Sequence, residues 1–273
     1  MMTVSEWIQA RPFLAKLAGV QGRIDATMDA FQPAPLAPPA WDAYAPEHAS
    51  GVPLLHSASA AIELAPAAAL LRTVAADLAG APVPPSLALQ AGELLAGLEA
   101  APGAALQAIT WLARGEGNPP ARHAGLLRYL GWSALGRALE PVKDAYQAWP
   151  QAAEWRSPHC PTCGAQPALA ALVAEGDGRA RLLCCGQCRT RWAWKRLGCP
   201  HCGNEAQDRL EVLELTGGDG LRLDVCRSCN GYVKTIAREP VQDFLLADWT
   251  TIHLDVLARE RGLERRGASL YEL

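Results

Sequence analysis

Apolar positions in the first half of the chain recur at helical spacing. Trp7, Phe13, Leu14, Leu17 and Ile24 supply an inner face for one helix from Ser5 to about Phe31. Further helices are predicted at about 58–79, 85–100, 103–114 and 120–147, punctuated by Pro84, Pro85, Pro102, Pro119 and Pro120. Ala, Leu and Glu are frequent there and β-branched residues sparse, which favours helix. The alanine content fits close helix packing and compositional bias equally. Phe31 to Pro53, rich in proline and aromatics, reads as an ordered loop or crossover.

The period changes near Trp155. Short β-like runs, Gln166 to Ala174 and Arg179 to Cys184, flank the turn Gly176-Asp177-Gly178. Arg209 to Leu215 and Leu221 to Val225 flank Gly217-Gly218-Asp219-Gly220. Leu221, Leu223 and Val225 alternate with Arg222 and Asp224, the period of a half-buried strand. Helical spacing returns at the end. Val241, Leu245, Trp249, Ile252 and Val256 form one apolar face, with Pro240 suited to the first turn and Gly262 just past the end.

The β-like runs are bracketed by cysteines. Cys160-Pro161-Thr162-Cys163-Gly164 matches Cys199-Pro200-His201-Cys202-Gly203. Each is followed by a strand, a glycine turn, a second strand and another C-x-x-C, at Cys185/Cys188 and Cys226/Cys229. The unit of about 40 residues occurs twice. The chain is therefore read as α+β, with a helical domain over 1–154 and two tandem zinc-ribbon-like four-cysteine domains. The first covers 155–197. The second covers 198–273 and ends in the C-terminal helix.

All nine cysteines lie between residues 160 and 229. Clustered C-x-x-C pairs without a disulfide framework point to a reducing compartment and to metal binding. Four thiolates can surround one tetrahedral ion when two short chelating loops meet, and the glycine after each first pair lets the backbone curl around the sulfurs. Cys160, Cys163, Cys185 and Cys188 form one candidate set; Cys199, Cys202, Cys226 and Cys229 form the other. Zn and Fe suit this donor set equally. Sequential pairing within each repeat is favoured, with a cross-braced arrangement as the alternative. Cys184 is the odd thiol, read as a buried strand residue. His159 and His201 sit beside saturated ligand sets, so they are read as supporting groups.

The 273 residues carry a net charge of −3, which gives no general pull toward nucleic acid or anionic membrane. Residues 151–273 are balanced, with sixteen basic and sixteen acidic side chains. Arg179 to Arg196 nevertheless holds six basic residues, no acid, and Trp192 and Trp194. A partner face at Arg189, Arg191, Trp192 and Arg196 is one expectation. Its alternative is Trp192 packing between the ribbons beneath a solvated basic rim. Met1 to Gly22 has no uninterrupted apolar core and no stretch approaches a membrane span, so neither a secretory signal nor membrane insertion is expected. A nucleophile elbow, H-E-x-x-H, phosphate loop and dinucleotide fingerprint are all absent, so no enzyme is expected.

These motifs resemble a known family. Cys160-Pro-Thr-Cys-Gly164, Cys185-x-x-Cys188 with Trp192 and Arg196, Cys199-Pro-His-Cys202, and Cys226-Arg-Ser-Cys-Asn-Gly-Tyr-Val-Lys234 are similar to the formate dehydrogenase accessory protein FdhE family. Leu246-Ala-Asp-Trp249 and Leu254-Asp255 extend the match, and Gly51-Val-Pro-Leu-Leu55 adds a looser one. The resemblance implies a helical domain followed by two rubredoxin-like ribbons, with the eight paired cysteines as ligands of two metal ions per chain, Fe or Zn. It also implies a cytoplasmic accessory protein for respiratory formate dehydrogenase, whose partner is the catalytic subunit before export. A rubredoxin-like electron carrier or redox sensor, and a nucleic-acid-binding zinc-ribbon protein, are the competing functions.

Overall fold

The computed structural model describes residues 2–32, 39–117, 122–214 and 220–271. The chain divides into two compact units. One comprises Met2–Tyr44 with Leu55–Trp149, the other Ala45–Leu54 with Pro150–Leu273.

The first unit is helical. The chain folds into α1 (Val4–Gln9), α2 (Ala15–Ala30) and α3 (Trp41–Ala49), whose residues from Ala45 belong to the second unit, then α4 (Ala65–Ala79) and α5 (Pro85–Glu99). α6 (Ala104–Arg114), α7 (Ala124–Ala138) and α8 (Glu140–Ala148) follow. The single helix expected from Ser5 to Phe31 is two helices, because Pro12 lacks the amide that a continuous helix needs and a 3-10 turn over Pro12–Leu14 takes the break. Trp7, Leu14 and Ile24 are buried as the pattern requires, but Phe13 falls on the outside. The stretch read as a loop from Phe31 to Pro53 contains α3, with Pro46 inside it. The helix expected at 120–147 breaks at Leu139, two residues before Pro141. Pro119 and Pro120 lie outside the described residues.

α4 is the centre of this unit and packs on α2, α5, α6 and α7. Leu70, Leu71, Val74 and Leu78 fill its inner face. Alanines occupy the contacts too: Ala75, Ala91, Ala108 and Ala134 are fully or almost fully buried. A Cβ added at Gly131 of α7 would lie 2.2 Å from Leu112 Cδ1 of α6. Small residues therefore let these helices approach closely, which composition alone does not reveal.

The second unit is built on one sheet. Its strands are β1 (Leu169–Glu175), β2 (Gly178–Cys184), β3 (Arg191–Trp194), β4 (Leu210–Glu214), β5 (Leu221–Cys226) and β6 (Gly231–Ile236). The order is β3-β2-β1-β6-β5-β4. Each ribbon contributes an antiparallel triplet, and the two join through parallel pairing of β1 with β6, Leu169 opposite Lys234. The ribbons at 155–197 and 198–273 thus share one sheet rather than standing as separate bodies. β3 and β6, which follow the second cysteine pair of each repeat, escaped the sequence pattern. β6 is buried along its whole length and so lacks alternation. The turn at Gly217-Gly218-Asp219 lies outside the described residues.

The long C-terminal helix is also revised. Glu239-Pro240 is a cis peptide bond, and two 3-10 turns, Asp243–Leu246 and Asp248–Thr251, precede α9 (Ile252–Glu260). Leu254, Asp255 and Ala258 are the buried residues of α9, while Ile252 and Val256 are half-buried. Asp255 is buried because Lys234, 1% exposed on β6, needs counter-charges. Lys234 Nζ pairs with Asp248 Oδ1 and with Asp255 Oδ2 at 2.8 Å, and Tyr232 donates to Asp255 at 2.7 Å. Arg265 completes the group, donating to Asp248 Oδ2 at 2.8 Å. Burial pushes the Asp248 carboxyl up, but the Lys234 and Arg265 charges and the hydrogen bonds from Lys234 and Ser269 hold it below its ordinary value. Two cations and two carboxylates tie the sheet to the C-terminal segment, and no periodicity rule predicts them.

Candidate metal centres

Each cysteine pair sits in a tight knuckle, and the four knuckles share one backbone device. The residue after the second cysteine is left-handed in every case: Gly164 (φ 76°), Arg189 (φ 62°), Gly203 (φ 76°) and Asn230 (φ 56°). The amide of that residue reaches back to the first cysteine's carbonyl at 2.9 Å in the Gly164 and Gly203 knuckles and 3.2 Å in the Arg189 knuckle. Glycine takes this conformation freely, and asparagine tolerates it. Arginine does not favour it, so Arg189 serves backbone geometry at a cost.

Hairpins β1–β2 and β4–β5 carry the second knuckle of each repeat back to the first. Cys160, Cys163, Cys185 and Cys188 come together in one group and Cys199, Cys202, Cys226 and Cys229 in another, with all sulfurs of a group within 4.8 Å of one another. This is sequential pairing; the cross-braced arrangement does not occur. Cys160–Cys188 and Cys163–Cys185 lie 3.5 Å apart, and Cys199–Cys229 and Cys202–Cys226 3.7 Å. A tetrahedron with metal–sulfur bonds of about 2.3 Å has edges of about 3.8 Å. Each group is therefore the right size for one four-coordinate ion, far from disulfide contact, and can hold one. The donor set does not choose between Fe and Zn.

The first group is buried at all four cysteines. Burial pushes the Cys160 thiol well up, and the neighbouring sulfurs, with burial, do the same to Cys163, a shift that a coordinating ion would have to reverse. Thr190 Oγ1 lies 3.2 Å from Cys188 Sγ and donates to Thr162 Oγ1 at 2.8 Å, and the Gln187 amide donates to Cys185 Sγ at 3.4 Å. Residues 45–54 close over the first knuckle. The Leu54 amide donates to the Pro161 carbonyl at 2.8 Å, and His159 Nε2 donates to the Gly51 carbonyl at 3.0 Å. Gly51 is left-handed, and a Cβ there would meet Ser157 Oγ at 2.8 Å. The Gly51-Val-Pro-Leu-Leu55 stretch, distant in sequence, thus belongs to this site.

The second group is open: Cys202 is exposed and Cys229 half-buried. Burial pushes the Cys226 thiol up, but the amides of Cys229 and Ser228 and the thiols of Cys202 and Cys199 outweigh it and bring it down to about 7. His201 is not a ligand; its Nε2 donates to the Tyr232 carbonyl at 3.2 Å. The C-terminal segment touches both second knuckles. Arg266 Nε donates to the Cys229 carbonyl at 3.0 Å, and a Cβ at Gly186 would lie 2.3 Å from the Ala268 oxygen.

Cys184 is buried in β2, and burial pushes its thiol up strongly. Of the expected partner face, Arg189, Arg191 and Arg196 are exposed. Trp192 is only 5% exposed, so its ring is not available to a partner. It sits on β3 opposite Leu183, in the body of the first ribbon. Arg191 pairs with Asp243 at 3.1 Å.

No helix among the described residues is long and apolar enough to cross a membrane. No family model matches the chain. Over 115 residues it is 34% identical to a protein FdhE homologue of Stutzerimonas stutzeri, covering 41% of this chain and 37% of that protein. Over 111 residues it is 32% identical to an FdhE homologue of Aquifex aeolicus, covering 40% and 39% respectively. The matched stretch thus spans well under half the length of these curated relatives. The fold is shared far more widely. The crystal structure of the FdhE protein from Pseudomonas aeruginosa superposes with a TM-score of 0.64 at 24% identity, over 97% of this chain and 91% of that one. Sequence likeness to these FdhE homologues thus covers part of the chain, whereas the likeness of fold extends over nearly all of it.

Proposed function

We propose that this protein is a cytoplasmic, non-enzymatic accessory protein for the maturation of respiratory formate dehydrogenase. In this role it binds the catalytic subunit before export and carries two metal ions, Fe or Zn. The observation that carries the proposal is the pair of complete four-cysteine groups of tetrahedral size, in a chain similar to FdhE homologues. Cys160, Cys163, Cys185 and Cys188 hold one ion; Cys199, Cys202, Cys226 and Cys229 hold the other. The ions fix the knuckles and thereby the sheet they flank. Partner contact is assigned to the exposed arginines Arg189, Arg191 and Arg196 without Trp192. A strain lacking the gene should make the catalytic polypeptide yet lose respiratory formate oxidation, and a plasmid copy should restore it. Full activity without the gene or a paralogue refutes the role.

The exposure of Cys202 favours a second reading, in which the second site exchanges electrons as a rubredoxin-like carrier or sensor. That reading requires a reversible redox signal from iron-loaded protein. Zinc in both sites of anaerobically purified protein removes it.

A further inference from the structure

The register of the second ribbon lines up one face of the sheet. Val212 lies opposite Asp224 and Asp224 opposite Val233, so their side chains share a face with Arg222. Arg181, opposite Leu172 in the first ribbon, reaches the same face. There a cavity of about 230 Å³ opens between these side chains and the loop Arg196–His201. Cys199 and Cys226 form part of its wall.

The polar atoms of the cavity are unevenly satisfied. Asp224 forms ion pairs with Arg222 at 2.9 Å and with Arg181 Nη2 at 3.6 Å and accepts from Thr235 at 2.9 Å, while its Oδ1 and Arg222 Nε make no hydrogen bond; Glu211 accepts from Arg227 at 2.6 Å. Both carboxylates are therefore charge-paired, and with Arg181, Arg196 and Arg222 on the wall the cations outnumber them. Arg181 is 3% exposed and donates through Nη1 to the Gly198 carbonyl at 3.0 Å, but its Nε has no partner. His201 Nδ1 is also buried without a partner. Because Nε2 carries the proton donated to the Tyr232 carbonyl, Nδ1 of the neutral ring offers a lone pair. An orphaned guanidinium N–H and an orphaned acceptor on the wall of one cavity are costly unless something fills them. The rim is apolar and exposed, Leu197 at 59% and Val212 at 49%. Arg196 stands beside it, also exposed.

We propose that this cavity binds an acidic peptide segment. A carboxylate accepts from Arg181 and Arg196, the neighbouring peptide N–H donates to His201 Nδ1, and an apolar side chain covers Leu197 and Val212. The carboxylate is that of an Asp or Glu side chain or of a chain terminus, since the donors recognise the group and not its source. A bound segment lies against Cys199 and Cys226 and shields the open second metal site. The proposal shares Arg196 with the partner face above but requires no role in formate dehydrogenase maturation.

The test uses full-length, metal-loaded protein and three probes: acetyl-Leu-Glu-Leu-amide, acetyl-Leu-Leu-Leu with a free carboxylate, and acetyl-Leu-Gln-Leu-amide. Calorimetry should show at least one carboxylate peptide binding tenfold or more tightly than the glutamine peptide, and which one identifies the source. The bound peptide should also slow chelator capture of one of the two ions. Val212→Glu places a like charge on the rim and should cost tenfold or more in affinity with metal content unchanged. Arg181→Gln should remove the preference for carboxylate over amide; if it also loses metal, the Val212→Glu result decides. Equal affinity for all three peptides, no binding of any, or full affinity in the Val212→Glu variant overturns the assignment.

Discussion

The two four-cysteine groups come from one repeat, with near-equal spacing and the same left-handed knuckles, yet one is sealed and the other open. The difference lies outside the repeat. Residues 45–54 cap the first group through Gly51 and Leu54, and Thr162 and Thr190 fill the space beside its sulfurs. At the corresponding place in the second group, Cys202 faces solvent. Ligand spacing decides that an ion can be held, whereas the surrounding chain decides how readily water, chelator or oxidant reaches it.

Metal removal is the widest test of this contrast. A strong chelator should strip the two ions in separate phases, with the open site at least tenfold faster, because attack on a thiolate-bound ion requires access. Loss of the second ion should then collapse the ribbons, since short hairpins bury little core without metal. A chromogenic chelator assay with parallel proteolysis of residues 155–235 reads both events. A single phase releasing two equivalents would erase the distinction between the sites.

A smaller effect tests what supports the open site. Although less enclosed by its own loops, the second ribbon is fastened by the buried Lys234, Asp248 and Asp255 group. Lys234→Met removes one cation and leaves two buried carboxylates under-compensated, a change that costs about 3–5 kcal/mol. Chemical denaturation of the metal-loaded variant should show that loss, and chelator capture from the second site should quicken more than from the first. Equal quickening at both sites would mean that the shared sheet, through β1 and β6, transmits the damage evenly.

What was legible in the sequence follows the same division. The eight ligands, their grouping and the hairpins between them could be read because thiolate chemistry imposes local spacing and a C-x-x-C turn has few conformations. The seal over the first site could not, because Gly51 and Leu54 meet His159 and Pro161 only after a hundred residues of intervening chain. Nothing local gives Lys234 a role: a buried lysine is intelligible only once Asp248 and Asp255 arrive from the C-terminal segment. The C-terminal helix begins later than its spacing predicts for a related reason, since an apolar residue every three or four positions also suits successive 3-10 turns wrapped over a sheet. Arginines around Trp192 suit a partner face and a ring packed beneath a basic rim alike, and only alternation along β3 decides, turning the ring inward while Arg191 points out.

Arg189 sharpens the comparison at the smallest scale. Three of the four knuckles place glycine or asparagine at the left-handed position; the sealed site alone uses arginine there. Such a conformation costs a side-chain-bearing residue about 1 kcal/mol or somewhat more, and glycine relieves it. Greater freedom of glycine in the unfolded chain returns part of that gain. Arg189→Gly should therefore stabilise the metal-loaded protein by a net of up to about 1 kcal/mol, read as a higher denaturation midpoint, with both metal equivalents retained. The same variant deletes one exposed charge from the proposed partner face. Higher stability with weakened capture of the catalytic subunit would assign the arginine to binding, kept in a strained place for that purpose. Higher stability with unchanged capture would confine the face to Arg191 and Arg196. A loss of stability would show that the Arg189 side chain itself holds the sealed knuckle closed, and that the two sites differ in what secures the left-handed position they share.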